Sequence, residues 1–458
     1  MHISLADIAA GVGGSIVGDT ADANGSPLEI SGATQDSRAI EPGQLFIPVI
    51  AERDGHDYIE SAVRAGAPAY LSSQPVSEPV AGSTAIVVDD TISALQRLGR
   101  LARERIGGGV PGDGAGQVVG ITGSAGKTST KDLVASAISS ERSTHASEKS
   151  FNNELGVPLT LLNAADDTEV AVVEMGARGP GHIALLCDIA SPTIGVVTTV
   201  GNAHTSEFGS FEAVVEGKGE LIESLPSSGT AVLNAMVPEV AGMARRSQAS
   251  VVTFGVGAGD VRAVEVVIND DLTSRFRIET GPFQVEPFDV ALGARGEHNV
   301  ANAAAAAAVG LALGVSPEAI AAGLAKPKWS PWRMEMTSAP SGLIVVNDSY
   351  NANPLSVSAA LASLAKVPAV RRVAVLGVMA ELGDEARSEH ERIAREARDL
   401  GIEVVAVDAP LYGADVNVAQ REEVRVLLGE LGDGVAVLVK GSRVAGLEHL
   451  AEELLSEA

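Results

Sequence analysis

Residues 120–131, Gly-Ile-Thr-Gly-Ser-Ala-Gly-Lys-Thr-Ser-Thr-Lys, combine glycines, hydroxyls and lysines in a pattern that can bind phosphate. They follow the apolar run Val118–Ile121, which predicts a buried strand, and lead into a helix-like stretch, Thr130–Ser139. Backbone N–H groups in such a turn and the dipole of a helix N-terminus attract phosphate oxygens. We therefore predict a nucleotide site in which Lys127 contacts the terminal phosphates and the Thr128 hydroxyl holds Mg²⁺. The residues assigned to this loop are Gly123, Ser124, Ala125, Gly126, Lys127, Thr128 and Ser129.

The glycines of this loop depart from the usual nucleotide-binding pattern. The pattern G-x-x-x-x-G-K-[ST] requires glycine at position 121, which is Ile121, whereas the chain has glycines at 120, 123 and 126. An ordinary turn before a surface helix is the alternative, but Gly-Lys-Thr after a buried strand favours phosphate binding. The loop by itself predicts a nucleotide and no particular reaction.

Two further candidates follow predicted strands, at the sheet edge where α/β proteins bind ligands. Glu174 ends the strand Val170–Val173 and is expected to hold the metal of the nucleotide, although a solvated charge would also suit this position. His204 follows the strand Gly195–Thr199, and we interpret it as a second metal ligand, although most lone histidines are structural or surface groups. Lys218, from the residues around it, is expected to be a solvated helix lysine.

Polar residues in the second half of the chain also suit ligand binding. Asn299 and Asn302 share a helix face and could read an adenine edge, although Asn299 could also simply cap the helix. Residues 347–354, Asn-Asp-Ser-Tyr-Asn-Ala-Asn-Pro, follow a predicted strand and carry more donors and acceptors than a turn requires. Lys440 and Arg443 follow another strand and supply two cations for anionic substrate groups.

The order of apolar runs predicts an α/β protein of three domains. Residues 1–108 form a small N-terminal α/β domain, 118–326 a central P-loop-type domain with a mostly parallel sheet, and 327–458 a C-terminal Rossmann-like domain. A glycine-rich linker separates the first two, and prolines within Lys326–Trp332 end the helix before the third. The strand-rich stretch Val261–Val290 is expected to extend the far end of the central sheet.

Two apolar stretches carry more specific structural predictions. Leu45–Ile50 is expected to be a strand of the N-terminal domain, and the alanine run Ala303–Ala308 a helix packed close to its sheet. Small side chains let the backbones of neighbouring elements approach closely. These stretches therefore concern packing and not chemistry.

The composition limits the partners and the compartment. A formal net charge of −26 argues against nucleic acid or an anionic membrane as the main partner. We find no apolar run of membrane-spanning length and no N-terminal secretion signal, so we expect no membrane insertion and a cytoplasmic protein. The single cysteine, Cys187, cannot form an intrachain disulfide, and its apolar neighbours predict a small buried side chain.

Together, these segments resemble the Mur ligase family, three-domain ATP-dependent enzymes that form amide bonds in peptidoglycan synthesis. The resemblance covers nearly the whole chain, and the family's own loop spacing matches residues 120–128, which accounts for the displaced glycine. Within the family, the chain most resembles the ligase that joins D-alanyl-D-alanine to UDP-N-acetylmuramoyl-tripeptide. The segments that favour this choice are 152–161, 202–204 with 208–210, 347–354 and 380–383. The Asp-Asn-Pro-Arg motif usual in the sister ligase that adds the third residue is missing from the sequence.

The resemblance implies a role for each candidate residue. It makes Lys127, Glu174, His204 and Lys218 catalytic, and it makes Thr128, Glu174, His204 and Lys218 Mg²⁺ ligands. Lys218 would act after carbamylation, which turns its ammonium into a carboxylate-like group. The nucleotide would also be contacted by Asn299, Asn302, Arg333 and Asp348. The residues implied to bind the other substrates are Asp36, Ser37, Arg38, Arg53, Asp54, Gly55, His56, Asn152, Asn153, Tyr350, Asn351, Lys440 and Arg443.

Some questions stay open at the level of the sequence. Val378 stands where relatives usually carry aspartate, so the contribution of that aspartate must be absent or supplied elsewhere. Another ligase of the superfamily, such as one that adds glutamate to folate, is an alternative, and so is a P-loop regulatory protein that makes no bond. The third residue of the tripeptide is meso-diaminopimelate or L-lysine. We expect a monomer whose third domain closes over ATP and excludes water.

Overall fold

The structure is a computed structural model that describes residues 1–21, 25–108, 116–148, 150–201, 208–429 and 431–456. Within these residues the strands form four sheets, whose strands come from the stretches 2–87, 117–292 and 335–440. This arrangement confirms the predicted α/β class with large, mostly parallel sheets. The domain boundaries 1–108, 118–326 and 327–458 stay a prediction. Short 3₁₀ turns lie at Gly55–Tyr58, Met243–Arg246, Gly383–Glu385, Pro410–Tyr412 and Arg443–Ala445.

The N-terminal part carries two small sheets. Its strands are β1 (His2–Ser4), β2 (Ser15–Val17), β3 (Glu29–Ser31), β4 (Ala33–Thr34), β5 (Leu45–Phe46), β6 (Ala69–Ser72) and β7 (Thr84–Val87). Its helices are α1 (Leu5–Val12), α2 (Ile59–Ala65) and α3 (Thr91–Arg105). β1 pairs with β3, and the other strands follow the order β2-β7-β6-β5-β4. The predicted strand Leu45–Ile50 is too long, because Pro48 has no N–H to donate and β5 ends at Phe46.

The central part is built on one large sheet. Its strands are β8 (Gln117–Thr122), β9 (Thr144–Ala146), β10 (Val170–Glu174), β11 (Ile194–Val197), β12 (Thr230–Asn234), β13 (Ser250–Val256), β14 (Val261–Ile268), β15 (Ser274–Glu279) and β16 (Phe288–Leu292). Its helices are α4 (Lys127–Ile138), α5 (Gly156–Leu162), α6 (His182–Ala190), α7 (Phe211–Glu223), α8 (Pro238–Gly242), α9 (His298–Ala312) and α10 (Pro317–Ala325). The strand order is β16-β15-β14-β13-β12-β11-β8-β10-β9. Among these strands the antiparallel pairings are β14 with β15 and β15 with β16. These strands lie at one end of the sheet, which confirms the extension predicted over Val261–Val290.

Both faces of the central sheet are buried by helices. Successive residues of β8 alternate between two apolar clusters, with Val118 in one and Val119 in the other. The run Ala303–Ala308 lies in α9 and is fully buried against β13, β14 and α4. This confirms the predicted close packing of a small-residue helix on its sheet. The buried faces leave the carboxyl ends of the strands as the place for polar side chains.

The N-terminal and central parts share one apolar cluster. Leu95 and Leu98 of α3 belong to the same buried cluster as Leu159 of α5 and Ile189 of α6. Gly99 permits the close approach of these helices, because a Cβ there would lie 2.5 Å from the Cβ of Pro158 in α5. Burial of this kind fixes the two parts to one another.

A side chain at position 99 is expected to break this contact. Gly99→Val should lower the free energy of unfolding by about 1–3 kcal/mol, because overpacking forces the helices apart. Urea unfolding measures the change. Glu104→Val, at an exposed position of the same helix, is the control and should change stability by about 0.5 kcal/mol or less. Equal losses in the two variants would contradict the packing argument.

The C-terminal part is a second doubly wound sheet. Its strands are β17 (Glu335–Ser338), β18 (Ile344–Asn347), β19 (Arg371–Leu376), β20 (Glu403–Val407), β21 (Val416–Val418) and β22 (Val435–Lys440). Its helices are α11 (Pro354–Lys366), α12 (Ala386–Asp399), α13 (Glu422–Leu428) and α14 (Glu448–Ser456). The strand order is β17-β18-β22-β19-β20-β21. The carboxyl ends of β18 and β22 are therefore neighbours, and residues 347–354 meet Lys440 there.

Two further predictions concern burial. Cys187 is buried in α6, which confirms the predicted small buried side chain. Burial raises the pKa of its thiol to about 12. The described residues include no helix that is long and apolar enough to cross a membrane.

Candidate functional site

The phosphate loop joins β8 to α4, and two of its glycines give it its shape. Gly123 has φ +152° and Gly126 has φ +84°, a region that side chains rarely adopt. A Cβ on Gly123 would also lie 1.9 Å from the hydroxyl of Thr198. Gly120 lies inside β8, where a Cβ would instead press against Leu221 and Met175 of the core. Gly120 therefore serves packing, whereas Gly123 and Gly126 shape the loop.

The open end of α4 is the part of the loop best suited to an anion. The helix begins at Lys127, earlier than predicted, and its N-cap Gly126 has no side chain to cap it. N–H groups in the first turn of a helix have no partner within the helix. The N–H of Ser124 and that of Ala125 are already used, since they donate to the carbonyl and hydroxyl of Thr199 at 2.8 and 3.0 Å. An anion would therefore bind at the first turn of α4.

Thr128 and Glu174 meet beside this loop. The Thr128 hydroxyl donates to Glu174 Oε2 at 2.8 Å, and Asn152 Nδ2 donates to Glu174 Oε1 at 2.8 Å. Glu174, the last residue of β10, is only 1% exposed, so the alternative of a solvated charge is wrong. A buried carboxylate next to a hydroxyl fits Mg²⁺, which takes one or two carboxylates together with phosphate oxygens and water.

Two lysines lie close to this pair. Lys127 Nζ donates to the Gly123 carbonyl at 2.8 Å; burial lowers the pKa of Lys127, and Glu174 opposes that shift. Lys218, on α7, is 2% exposed, so the expectation of a solvated helix lysine is wrong. Burial, with a smaller contribution from the charge of Lys127, lowers the pKa of Lys218 to about 7. An amine with such a pKa is partly uncharged at neutral pH.

A cavity of about 330 Å³ joins these groups to residues of the C-terminal part. Its wall includes the first turn of α4, Glu174 and Lys218 from the central part. The candidate residues that the cavity brings together are Ser124, Ala125, Gly126, Lys127, Thr128, Ser129, Asn152, Asn153, Glu174, Lys218, Arg333, Tyr350 and Asn351. His204 lies outside the described residues.

A second cavity, of about 370 Å³, shares Arg333 with the first as part of its wall. Asn299, Asn302 and Asp348 line it beside apolar side chains such as Met236 and Trp329, a setting that suits a flat base. Asn302 Nδ2 donates to Asn299 Oδ1 at 2.8 Å, so the two amides do share a face. Helix α9 begins at His298 with Glu297 as its N-cap, so the alternative that Asn299 caps the helix is wrong.

Lys440 is occupied by protein acceptors. Its ammonium donates to Asp348 Oδ2 at 2.5 Å, to the Asp348 carbonyl at 3.3 Å and to the Asn351 carbonyl at 2.9 Å. An ammonium has three donors, so these bonds use all of them. Burial lowers the pKa of Lys440, and Asp348 opposes that shift. In this structure the lysine organises the 347–354 turn, and the prediction that it contacts substrate stays a prediction.

Cations and aromatic rings alternate where the C-terminal part meets the central part. Arg333 lies over the ring of Tyr350 at 4.3 Å, and Arg443 over the ring of Trp332 at 4.6 Å. The Tyr350 hydroxyl is 2.5 Å from that of Ser150. Such contacts attract each guanidinium to the face of its ring.

The N-terminal candidates lie apart from both cavities. Arg38 pairs with Asp36 at 2.8 Å and its side chain is 87% exposed, while Arg53 is also exposed. His56 accepts the N–H of Ser73 at 3.0 Å and bonds Asp54 Oδ1 at 2.6 Å, so both ring nitrogens are used inside the protein. The remaining candidates of this region are Ser37, which is half-buried, and Gly55, where a Cβ would lie 2.5 Å from the N of Val49.

Sequence reasoning missed several residues that line the cavities. Glu381 lines the first cavity with φ +64°, and His298 lines the second with a buried Nδ1 that has no partner. Both belong to segments that the sequence singled out, but nothing in the pattern marked these positions. Val378 packs against the apolar cluster of the C-terminal sheet, and its carbonyl accepts the N–H of Ser442 at 2.9 Å.

Comparisons with known proteins agree with this geometry. Residues 121–310 match the Mur ligase middle domain, and residues 332–443 match the Mur ligase glutamate ligase domain. The UDP-N-acetylmuramoyl-tripeptide–D-alanyl-D-alanine ligase of Mycobacterium tuberculosis strain H37Rv is 40% identical over 100% of this chain and 98% of its own.

Solved structures give the same result. MurF from Acinetobacter baumannii has a TM-score of 0.85 at 28% identity and covers 100% of this chain and 99% of its own. MurF from Thermotoga maritima, solved in complex with ADP, has a TM-score of 0.79 at 28% identity over 93% and 98%. The alignments span both cavities and the loop between them, and on that basis this chain belongs to the Mur ligase family.

Proposed function

We propose that this protein is the ATP-dependent ligase that joins D-alanyl-D-alanine to UDP-N-acetylmuramoyl-tripeptide, with release of ADP and phosphate. The observation that carries the proposal is the 330 Å³ cavity, in which the start of α4 faces Glu174, Lys218 and Arg333. Phosphate, metal and substrate carboxylate can meet in such a site. Relatives of similar length that are named UDP-N-acetylmuramoyl-tripeptide–D-alanyl-D-alanine ligase support the choice of substrates.

The reaction needs an activated carboxylate, because a free carboxylate would have to expel oxide. The terminal carboxylate of the tripeptide attacks the γ-phosphorus of ATP, a new C–O–P link forms, and the bond to ADP breaks. The dipeptide amine then attacks the acyl carbon, the amide forms, and phosphate leaves while the nitrogen loses its proton. The first step brings the anionic carboxylate against the anionic γ-phosphate, and the second builds negative charge on the acyl oxygen as the neutral amine attacks. Cations that are already in position lower both barriers.

The chain's own residues divide this work. The first turn of α4 and Lys127 hold the terminal phosphates, and Arg333 reaches the same place from the C-terminal side. Thr128 and Glu174 would hold Mg²⁺. By the resemblance, His204 would contact a second Mg²⁺, and carbamylated Lys218 would serve as a further metal ligand. Bound Mg²⁺ would neutralise charge that develops on the phosphate oxygens. Asn299 and Asn302 bind the adenine, and Asp348 and Arg333 complete the nucleotide site.

The other substrates occupy the remaining candidate positions. The segments 36–38 and 53–56 bind the UDP-sugar end from the N-terminal domain. The candidates that bind near the reacting groups are Asn152, Asn153, Tyr350, Asn351, Lys440 and Arg443. The enzyme works as a monomer in the cytoplasm, where its nucleotide substrates are found. In this proposal residues 1–108, 118–326 and 327–458 act as substrate, ATP and ligase domains.

An assay with matched omissions tests the proposal. Phosphate release from ATP should require both the UDP-tripeptide and D-alanyl-D-alanine, and mass spectrometry should find the UDP-pentapeptide. Parallel reactions with meso-diaminopimelate and with L-lysine in the tripeptide identify the third residue. Phosphate release without the peptide product, or equal release with glutamate and folate, would contradict the proposal.

A further inference from the structure

Helix α4 holds the segment that leads into the C-terminal part. Three of its side chains, spaced four residues apart on one face, bond to residues 328–333, which are called the linker below. Thr128 Oγ1 accepts from Arg333 Nη2 at 2.9 Å, Asp132 Oδ2 accepts the N–H of Ser330 at 2.9 Å, and Ser136 Oγ accepts the N–H of Lys328 at 3.0 Å.

The Asp132 contact is buried and charged. Asp132 is 6% exposed and pairs with Lys131 at 3.0 Å, and Lys131 Nζ donates to the Ser147 carbonyl at 2.7 Å. A carboxylate in such a place is held firmly, because it has a cation and a backbone N–H as partners. The middle of the linker is therefore fixed to the same helix whose first turn faces the phosphate.

The backbone around Arg333 is strained. Trp332 has φ +59° and Met334 has φ +50°, and neither residue is a glycine. The conformation is held from both sides, since Trp329 Nε1 donates to the Arg333 carbonyl at 2.7 Å and the Met334 N–H donates to Asp348 Oδ1 at 3.1 Å. Strained residues persist only where the surroundings over-determine them, and they cluster at functional sites.

We propose that Asp132 and Ser136 are positioning residues that present Arg333 to the phosphate site. They fix the linker along α4, so that the strained turn at 332–334 delivers the guanidinium to Thr128. Neither residue lines either cavity, so each acts through Arg333 and not through contact with substrate. This inference rests on the proposed function, because it assigns Arg333 to the terminal phosphates of ATP.

A double-mutant cycle on nucleotide affinity tests the inference. The probe is the non-hydrolysable analogue AMP-PNP with Mg²⁺, measured by calorimetry, so the result does not depend on whether ligation occurs. Ser136→Ala and Asp132→Ala should each weaken AMP-PNP about twofold to tenfold, the loss expected for one hydrogen bond. In an Arg333→Ala background neither should weaken it further. Asp132→Asn, which keeps an acceptor for Ser330, should retain most of the affinity.

Controls separate positioning from general damage. Ser139→Ala, at the C-cap of the same helix, removes a hydroxyl that donates to the Ser136 carbonyl and not to the linker, and it should not change the affinity. If Asp132→Ala unfolds because Lys131 loses its partner, the double variant Lys131→Met/Asp132→Ala, which removes both charges, is used in place of the single variant. Unchanged affinity in Ser136→Ala and Asp132→Ala, or equal losses with and without Arg333, would overturn the inference. A failed ligation assay with an intact cycle would instead overturn only the choice of substrates.

Discussion

Replacing Lys127 with alanine is expected to lower kcat for ligation by about 10²–10³-fold, the effect of removing one charge-stabilising donor from an active site. Its ammonium lies at the start of α4, beside Glu174 and within the cavity. Because the terminal phosphate gains charge contacts as it is transferred, the loss should appear in kcat and not only in KM. Steady-state phosphate release with saturating substrates measures it.

The same variant should remain folded. Burial lowers the pKa of Lys127, so its charge is a cost to the folded protein and its removal should not reduce the melting temperature. Lys366→Ala is the control, since Lys366 pairs with Glu297 on the surface and should lose no activity. Undiminished ligation by Lys127→Ala would contradict the assignment of the loop to catalysis.

Replacing Lys218 with alanine is expected to lower activity to a similar extent and to make it depend on added short-chain acids. The carbamate implied by the resemblance is a carboxylate-like group at the end of a buried lysine. Lys218 is 2% exposed, so its removal leaves a space in which formate or acetate can sit. Activity measured against acid concentration should rise and then saturate.

Two comparisons make this result decisive. Lys127→Ala should gain nothing from formate or acetate, because a carboxylate cannot replace a cation. Lys218→Arg keeps a positive charge and cannot form the carbamate, so it should be inactive as well. Full activity in Lys218→Arg, or no rescue of Lys218→Ala by any acid, would show that the residue acts as an ordinary lysine or as part of the core.

The phosphate loop and the order of elements could be predicted because their signals are local. The apolar run before Gly123 and the hydroxyl-rich start of α4 are adjacent in the chain, and they fold as a strand, a turn and a helix. The alternation of strands and helices likewise predicted the two doubly wound sheets and the extension over Val261–Val290. Errors arose at the ends of elements, as with Pro48, where one missing donor shortened a strand.

The burial of single polar groups could not be predicted in this way. Lys218 follows a helix pattern that suits solvent, yet packing of α7 against the central sheet buries it beside Lys127. The contacts of Lys440 inside the protein also carry no local signal, because β18 lies next to β22 and brings Asp348 and the 347–354 turn onto its ammonium. The burial and the partners of such a side chain depend on which distant segments pack together, and a local sequence pattern does not specify this.

The sequence by itself therefore determined the chemistry that is available. It supplies a phosphate loop, a carboxylate and a histidine that each follow a strand, and two cations that follow another strand. Only the tertiary structure decided how those groups are used. It placed Glu174 against Thr128, it fixed the linker along α4, and it brought Arg333 to the loop. The physical reason is that the groups lie up to 205 positions apart in the chain, so only packing of the sheets and helices sets their distances.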